Sequence, residues 1–235
     1  MSSTLGRVLS VNVAAAPSPT RHKESGVTGI GKAPVGGPVA VRAPGPKGVG
    51  GSGLAGDNVI DRRHHGGDDQ AVYAYAREDL DWWEAELGRA LPGGAFGENL
   101  TTSGVDVTGA RVGERWRVGD RVVLEVSAPR IPCTVFAERM VVEGWIKQFT
   151  RRATPGAYLR VVEPGTVRPG DPVTLVYRSG HEVTVALFFR AFTTEPHLLP
   201  DLLAAGDALP VETRETVLRR TAALDAPDGE AAPAP

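Results

Sequence analysis

Glycine and proline interrupt this chain so often that few long regular elements fit along it. Between Phe96 and Tyr177, glycines at 104, 109, 113, 119, 156, 165 and 170 separate short β-prone runs, a spacing that suits a β-barrel or sandwich. In one such run Val122, Leu124 and Val126 alternate with Val123, Glu125 and Ser127, as a half-buried strand requires. Val8–Val13 and Val72–Tyr75 read as further strands. The stretch Gly26 to Gly56 holds eleven glycines and four prolines, with β-prone pieces such as Pro38-Val39-Ala40-Val41. It reads as short strands joined by tight turns, with Pro44 to Gly53 as an exposed loop.

Helical signals are fewer. Leu80, Trp83 and Leu87 fall on one face of a helix from Arg77 to Leu87, and Gly88 stands ready to end it. Near His181 the character of the chain changes. Thr184 can cap a helix from Val185 to Phe192. Pro196 can open a second, with Leu198, Leu199, Leu202 and Leu203 on one side, although Pro200 must lie in a first turn or kink it. Pro210 opens a third, with Val211, Val217, Leu218 and Leu224 spaced for one face. The expected fold is mainly β: a barrel domain over 1–180, a small three-helix domain over 181–224, and a disordered tail over 225–235.

Charge and cysteine content exclude several functions. With 26 basic and 28 acidic residues the net charge is −2, so neither a broad nucleic-acid surface nor a polybasic membrane patch is expected. Cys133 stands alone, which rules out an intrachain disulfide and an all-cysteine zinc site. No run approaches the ~18 apolar residues of a membrane span. Val13-Ala14-Ala15-Ala16 imitates a signal-peptide cleavage site, but Ser10 and Asn12 break the apolar stretch and Arg7 is its only basic residue. A cytoplasmic protein is expected.

Two glycine patterns imitate nucleotide sites and fail on chemistry. Gly26 to Ala33 is one residue from a P-loop, but Ala33 lacks the magnesium-binding hydroxyl, and Pro34 and Pro38 forbid the helix. Gly48-Val49-Gly50-Gly51-Ser52-Gly53 meets the dinucleotide pattern without the strand before it or the helix after it. Lys32 remains able to meet a phosphate.

Val126-Ser127-Ala128-Pro129-Arg130-Ile131-Pro132-Cys133 is more informative. Both prolines hold the chain extended and must take it out of the sheet, so Cys133 is presented on a rigid connection at a strand end. Arg130 adds a permanent charge that would favour a thiolate or hold an anion. A buried cysteine acting as a small hydrophobe is the competing reading. In Asp61-Arg62-Arg63-His64-His65-Gly66-Gly67-Asp68-Asp69, adjacent histidines of an extended chain face opposite ways, so a polar turn is favoured over a metal site. In Phe96-Gly97-Glu98-Asn99-Leu100, Asn99 can meet a heterocycle edge or simply fix a turn. Tyr73, Tyr75, Trp82 and Trp83 can flank a flat substrate, though core packing suits their spacing better.

These segments occur in a specific order. Lys32, Gly53-Leu54 with Gly56-Asp57, His65-Gly66-Gly67, Phe96-Gly97-Glu98-Asn99-Leu100 and Pro129-Arg130-Ile131-Pro132-Cys133 resemble the MOSC domain (the molybdenum cofactor sulfurase C-terminal domain), and within it the YiiM-like bacterial branch. Tyr158-Leu159-Arg160-Val161-Val162 and Gly170-Asp171 add to the resemblance. It implies a β-barrel and a molybdenum cofactor (molybdopterin with molybdenum) whose metal is held by Cys133, a soft thiolate that suits such a metal. Lys32 and Arg130 become the candidates for its phosphate, Asn99 would face it, and His65 either shuttles protons or fixes its own turn. The implied activity is reduction of N-hydroxylated compounds such as purine bases, with electrons from a separate donor protein, since no flavin or haem motif is evident. A homodimer is compatible with this. Two other functions compete: a sulfur carrier forming a persulfide on Cys133, and a non-catalytic binding module at the barrel mouth. Gly113-Glu114 departs from the family's glycine-aspartate, and the loop from Pro44 to Gly53 is unusual.

Overall fold

The structure, a computed structural model, describes residues 3–224. Seven strands form a closed barrel: β1 (Ser3–Val13), β2 (Val72–Ala76), β3 (Leu100–Ser103), β4 (Arg115–Val118), β5 (Val122–Pro129), β6 (Ala157–Glu163) and β7 (Pro172–Tyr177). Around the barrel they run β7, β4, β5, β6, β2, β3, β1, and β1 pairs back onto β7. All these pairs are antiparallel except β2 with β3. A parallel pair needs a crossover, and α1 (Arg77–Leu87) supplies it. Gly88 ends α1 in the left-handed conformation expected from the sequence.

Alternation along β2 divides two cores. Val72, Ala74 and Ala76 point into the barrel beside Val8, Leu124 and Leu159. Tyr73 and Tyr75 point outward into an aromatic layer with Trp83, Phe96, Phe136 and Phe149. Tyr75 and Trp83 are therefore core residues, while Trp82 is partly exposed. On β5, Val122, Leu124 and Val126 face the barrel as their spacing requires. Ser127, on the outer side, is nevertheless fully buried, because the segment at 68–70 covers it and the Ser127 hydroxyl lies 2.5 Å from the Asp69 carbonyl.

Residues 96–177 are not β throughout. Two short helices, α2 (Thr134–Met140) and α3 (Trp145–Arg152), interrupt them and roof the aromatic layer. The Gly26–Gly56 stretch does contain short strands: Val27–Thr28 pairs with Ser18–Pro19, and Val39–Val41 with Gly165–Val167.

The C-terminal part begins with α4 (Val185–Thr193), capped by the Thr184 hydroxyl, which accepts from the Leu187 N–H at 3.1 Å. The expected second helix is instead two 3-10 segments, Pro196–Leu198 and Pro200–Ala208, since Pro200 starts a new turn. The third, α5 (Val211–Leu224), buries Val217 but leaves Val211 71% and Leu218 51% exposed, so the expected apolar face is reduced to one described anchor. The side chain of Leu224 and the tail expected to be disordered over 225–235 lie outside the described residues. Phe188, Leu199, Leu202 and Val217 form a third core, which includes Val112 from the connection between β3 and β4. No described helix is long and apolar enough to cross a membrane.

Candidate functional site

The chain leaves the barrel at Pro129, the last residue of β5, and Cys133 is the N-cap of α2. The rigid connection expected from the two prolines therefore ends on a helix start. Cys133 is partly exposed and lines a cleft on the outer side of the barrel. Lys32, His65, Asn99 and Arg130 line the same cleft, although they come from segments far apart in sequence. The sequence did not single out Lys23 or Gln70, which also face it, and Asp61 of the polar turn faces it too.

Close backbone approach shapes the walls. A Cβ on Gly29 would fall 1.8 Å from the Asn58 carbonyl oxygen, so only glycine lets these two walls meet. Gly66 holds φ +77, and a Cβ there would lie 2.6 Å from the Gly51 carbonyl oxygen. Glu98 is fully buried beneath the turn that carries Gly97 and Asn99. Its carboxyl accepts from the Gly94 N–H at 2.6 Å, the Phe96 N–H at 3.0 Å and the Thr101 hydroxyl at 2.9 Å. Burial pushes the Glu98 carboxyl above the ordinary range against the pull of these donors. Glu98→Ala is expected to cost about 3 kcal/mol or more in denaturant unfolding, since each stranded buried group costs ~1–3 kcal/mol. A loss below ~1 kcal/mol would show that the turn does not depend on this carboxyl.

Asp57 connects the cleft to the barrel. Its carboxylate accepts from the Ala14 N–H at 2.8 Å, from the Asn99 amide at 2.8 Å and from the Lys32 ammonium. Asn99 in turn accepts from the Tyr73 N–H at 3.0 Å through its side-chain oxygen. Its amide is thus engaged with β2, with Asp57 and, at 3.3 Å, with the Asn12 carbonyl. Lys23 pairs with Asp61 at 2.6 Å. Two of the cleft's cations are matched by carboxylates in this way. Arg130, buried, has no carboxylate partner among the described residues: it donates to the Phe96 carbonyl and lies 3.9 Å from the Phe136 ring centroid.

Burial, followed by the charges of Arg130 and Lys23, pushes His65 down to about 4. At neutral pH it is an uncharged imidazole, able to donate or accept according to tautomer. Since the ordinary value is 6.5, an unfolded chain takes up this proton first as the pH falls. Stability is expected to fall from pH 6.5 to about 4 and then level off, and that component should vanish in His65→Asn. Denaturant titrations at three pH values across this window check it, and an unchanged pH profile in the variant would contradict it. Burial also pushes the Tyr158 hydroxyl above the ordinary range, so it stays protonated at the cleft wall.

The donor set suits a molybdopterin-type group. Among the described residues no three His, Cys, Asp or Glu side chains are arranged to hold a metal ion alone. One accessible sulfur is enough, however, when the group brings its own dithiolene, and Arg130 is left free to meet an anion.

Comparison with known proteins agrees with this architecture. Residues 61–174 match the MOSC domain. The chain is 37% identical over 130 residues to the uncharacterized protein YflK of Bacillus subtilis, covering 55% of this chain and 58% of that one. It is 33% identical over 117 residues to a Gibberella moniliformis protein named "Reductase", covering 48% of this chain and 21% of that one. The match therefore spans less than two thirds of each of these relatives. The crystal structure of YiiM from Geobacillus stearothermophilus superposes with a TM-score of 0.72 and 28% identity, over 91% of this chain and 98% of that one. With its closed barrel and its helical C-terminal part, the chain has the fold of the YiiM crystal structure, and residues 61–174, just under half of it, are similar to the MOSC domain.

Proposed function

We propose that the chain is a molybdenum-cofactor-dependent reductase of N-hydroxylated compounds, purine bases or similar heterocycles, with Cys133 as the protein's ligand to the metal. The observation that carries this reading is the convergence of Lys32, His65, Asn99, Arg130 and Cys133 on one cleft. The similar protein named "Reductase" supports the reaction class. When bound, the cofactor supplies the two-electron chemistry: an N-hydroxyl compound takes up two electrons and two protons, its N–O bond breaks, and the amine and water leave.

The chain's own residues bind and orient. Arg130 offers a charge for an anionic group, fixed by its hydrogen bond and ring stacking rather than by a carboxylate. Lys32 adds charge at the wall, but its ammonium is shared with Asp57, so it positions more than it neutralises. Neutral His65 and protonated Tyr158 are the groups that hold protons at the cleft. Asn99, with its amide engaged, keeps β2 and Asp57 in register beside the site. A persulfide carrier needs only an accessible sulfur and a docking surface and gives no role to Lys32, His65 and Arg130 beside Cys133, which favours the reductase.

The test is anaerobic turnover of N6-hydroxyadenine by cofactor-loaded protein with a reduced redox protein or a chemical electron donor. Formation of adenine is expected. No turnover by fully loaded protein would overturn the reading. Turnover with a nicotinamide cofactor alone would contradict the need for a separate donor protein.

A further inference from the structure

A second pocket adjoins the cleft, and Ser52, Asp57, Asn58 and Val59 line both. Its outer wall is the Gly- and Pro-rich loop whose glycine pattern fits no nucleotide-binding helix. Arg42 and Arg62 line it, and neither has a carboxylate partner among the described residues. Arg62 lies along the loop and donates to the Val49 carbonyl at 3.0 Å. Gly51 and Ser52 present successive backbone N–H groups with no acceptor among the described residues. Their neighbours do have acceptors: Gly50 donates to Pro46 and Gly53 to Ala71. Successive N–H groups without acceptors beside two guanidiniums without carboxylate partners make an anion-binding concavity. The one acidic residue in its lining, Asp57, is already matched by Lys32. Residues 21–63 carry seven Lys and Arg against three Asp and Glu, in a chain whose net charge is −2.

We infer that this pocket is a phosphate subsite, and that the cleft and subsite together take a purine nucleotide, base toward Cys133 and 5′-phosphate on Arg42, Arg62 and the Gly51–Ser52 backbone. The choice of a base for the cleft rests on the reductase reading, whereas the phosphate subsite rests on the pocket itself. The same anion chemistry can serve a phosphate of the cofactor, and the experiment separates the two sources.

Binding is measured by calorimetry on cofactor-loaded protein with N6-hydroxyadenosine, its 5′-monophosphate and inorganic phosphate. Arg42→Gln, Arg62→Gln and the double variant are measured beside the wild type. The arginine side chains lie at the surface, and Arg42 makes no side-chain hydrogen bond within the described residues, so its variant keeps the fold. The monophosphate is expected to bind about tenfold or more tightly than the nucleoside. That advantage should shrink with added salt and disappear in the double variant, with molybdenum and pterin content unchanged. Equal affinity for nucleoside and monophosphate in the wild type would overturn the inference, as would an advantage that survives in the double variant. Loss of molybdenum and pterin from the variants would assign the pocket to the cofactor and overturn it too. If the monophosphate binds by these rules yet is not reduced, the reductase reading fails and the phosphate subsite stands.

Discussion

Asp57→Ala is expected to destabilise the protein by about 3–5 kcal/mol, the cost of leaving a buried charge without its partner. The Lys32 and Asp57 side chains are only 8% and 0% exposed. Burial already pulls the Lys32 ammonium below the ordinary lysine range, and the Asp57 carboxylate is the main group opposing that pull. Alanine would leave this ammonium in a dry wall and strand the Ala14 N–H and the Asn99 amide. A domain of this size has about 5–15 kcal/mol in total, so the variant should melt far below the wild type. The double variant Lys32→Met with Asp57→Ala should recover part of the loss, since it removes the unpaired charge but not the stranded amides. Denaturant unfolding of all four proteins gives the cycle. A loss below ~1 kcal/mol in Asp57→Ala, or no recovery in the double variant, would show that the pair does not organise this wall.

Cys133→Ser separates chemistry from folding. Cys133 is the N-cap of α2 and makes no side-chain cap hydrogen bond, whereas serine is among the preferred N-caps. The substitution should therefore leave the melting temperature unchanged or slightly raised. Reductase turnover should fall by about a thousandfold or more, beyond the ~10–100-fold that loss of a metal site's outer partners costs. A variant that retains turnover within tenfold of the wild type would remove Cys133 from the reaction.

The parts of the fold legible in the sequence were those whose signals are local. Val122, Leu124 and Val126 show their alternation, α1 has its stripe and its Gly88 stop, and α4 has Thr184. The helices α2 and α3 were hidden because Val135, Phe136, Trp145, Ile146 and Phe149 favour strands by propensity. Their stops were hidden as well. They end at Val141, φ 51, and Ala153, φ 55, where a glycine would have marked the turn. Tertiary burial of Phe136, Trp145 and Phe149 in the aromatic layer outweighs that local strain.

The site divides in the same way. Cys133 and Arg130 were legible because two prolines frame them. The links from Asp57 to Lys32, Ala14 and Asn99 span 25 to 43 positions, and no short-range pattern reports them. Glu98 was visible in its motif, but its three donors become apparent only once the turn has closed.

Metal and pterin content of protein purified from a host that makes the molybdenum cofactor, wild type beside Cys133→Ser, tests the central claim most directly. Near-stoichiometric molybdenum and pterin in the wild type, with molybdenum lost from the variant, is the predicted result. Wild-type protein free of both, or a Cys133→Ser variant that keeps its molybdenum, would contradict the assignment of Cys133 as the metal's ligand.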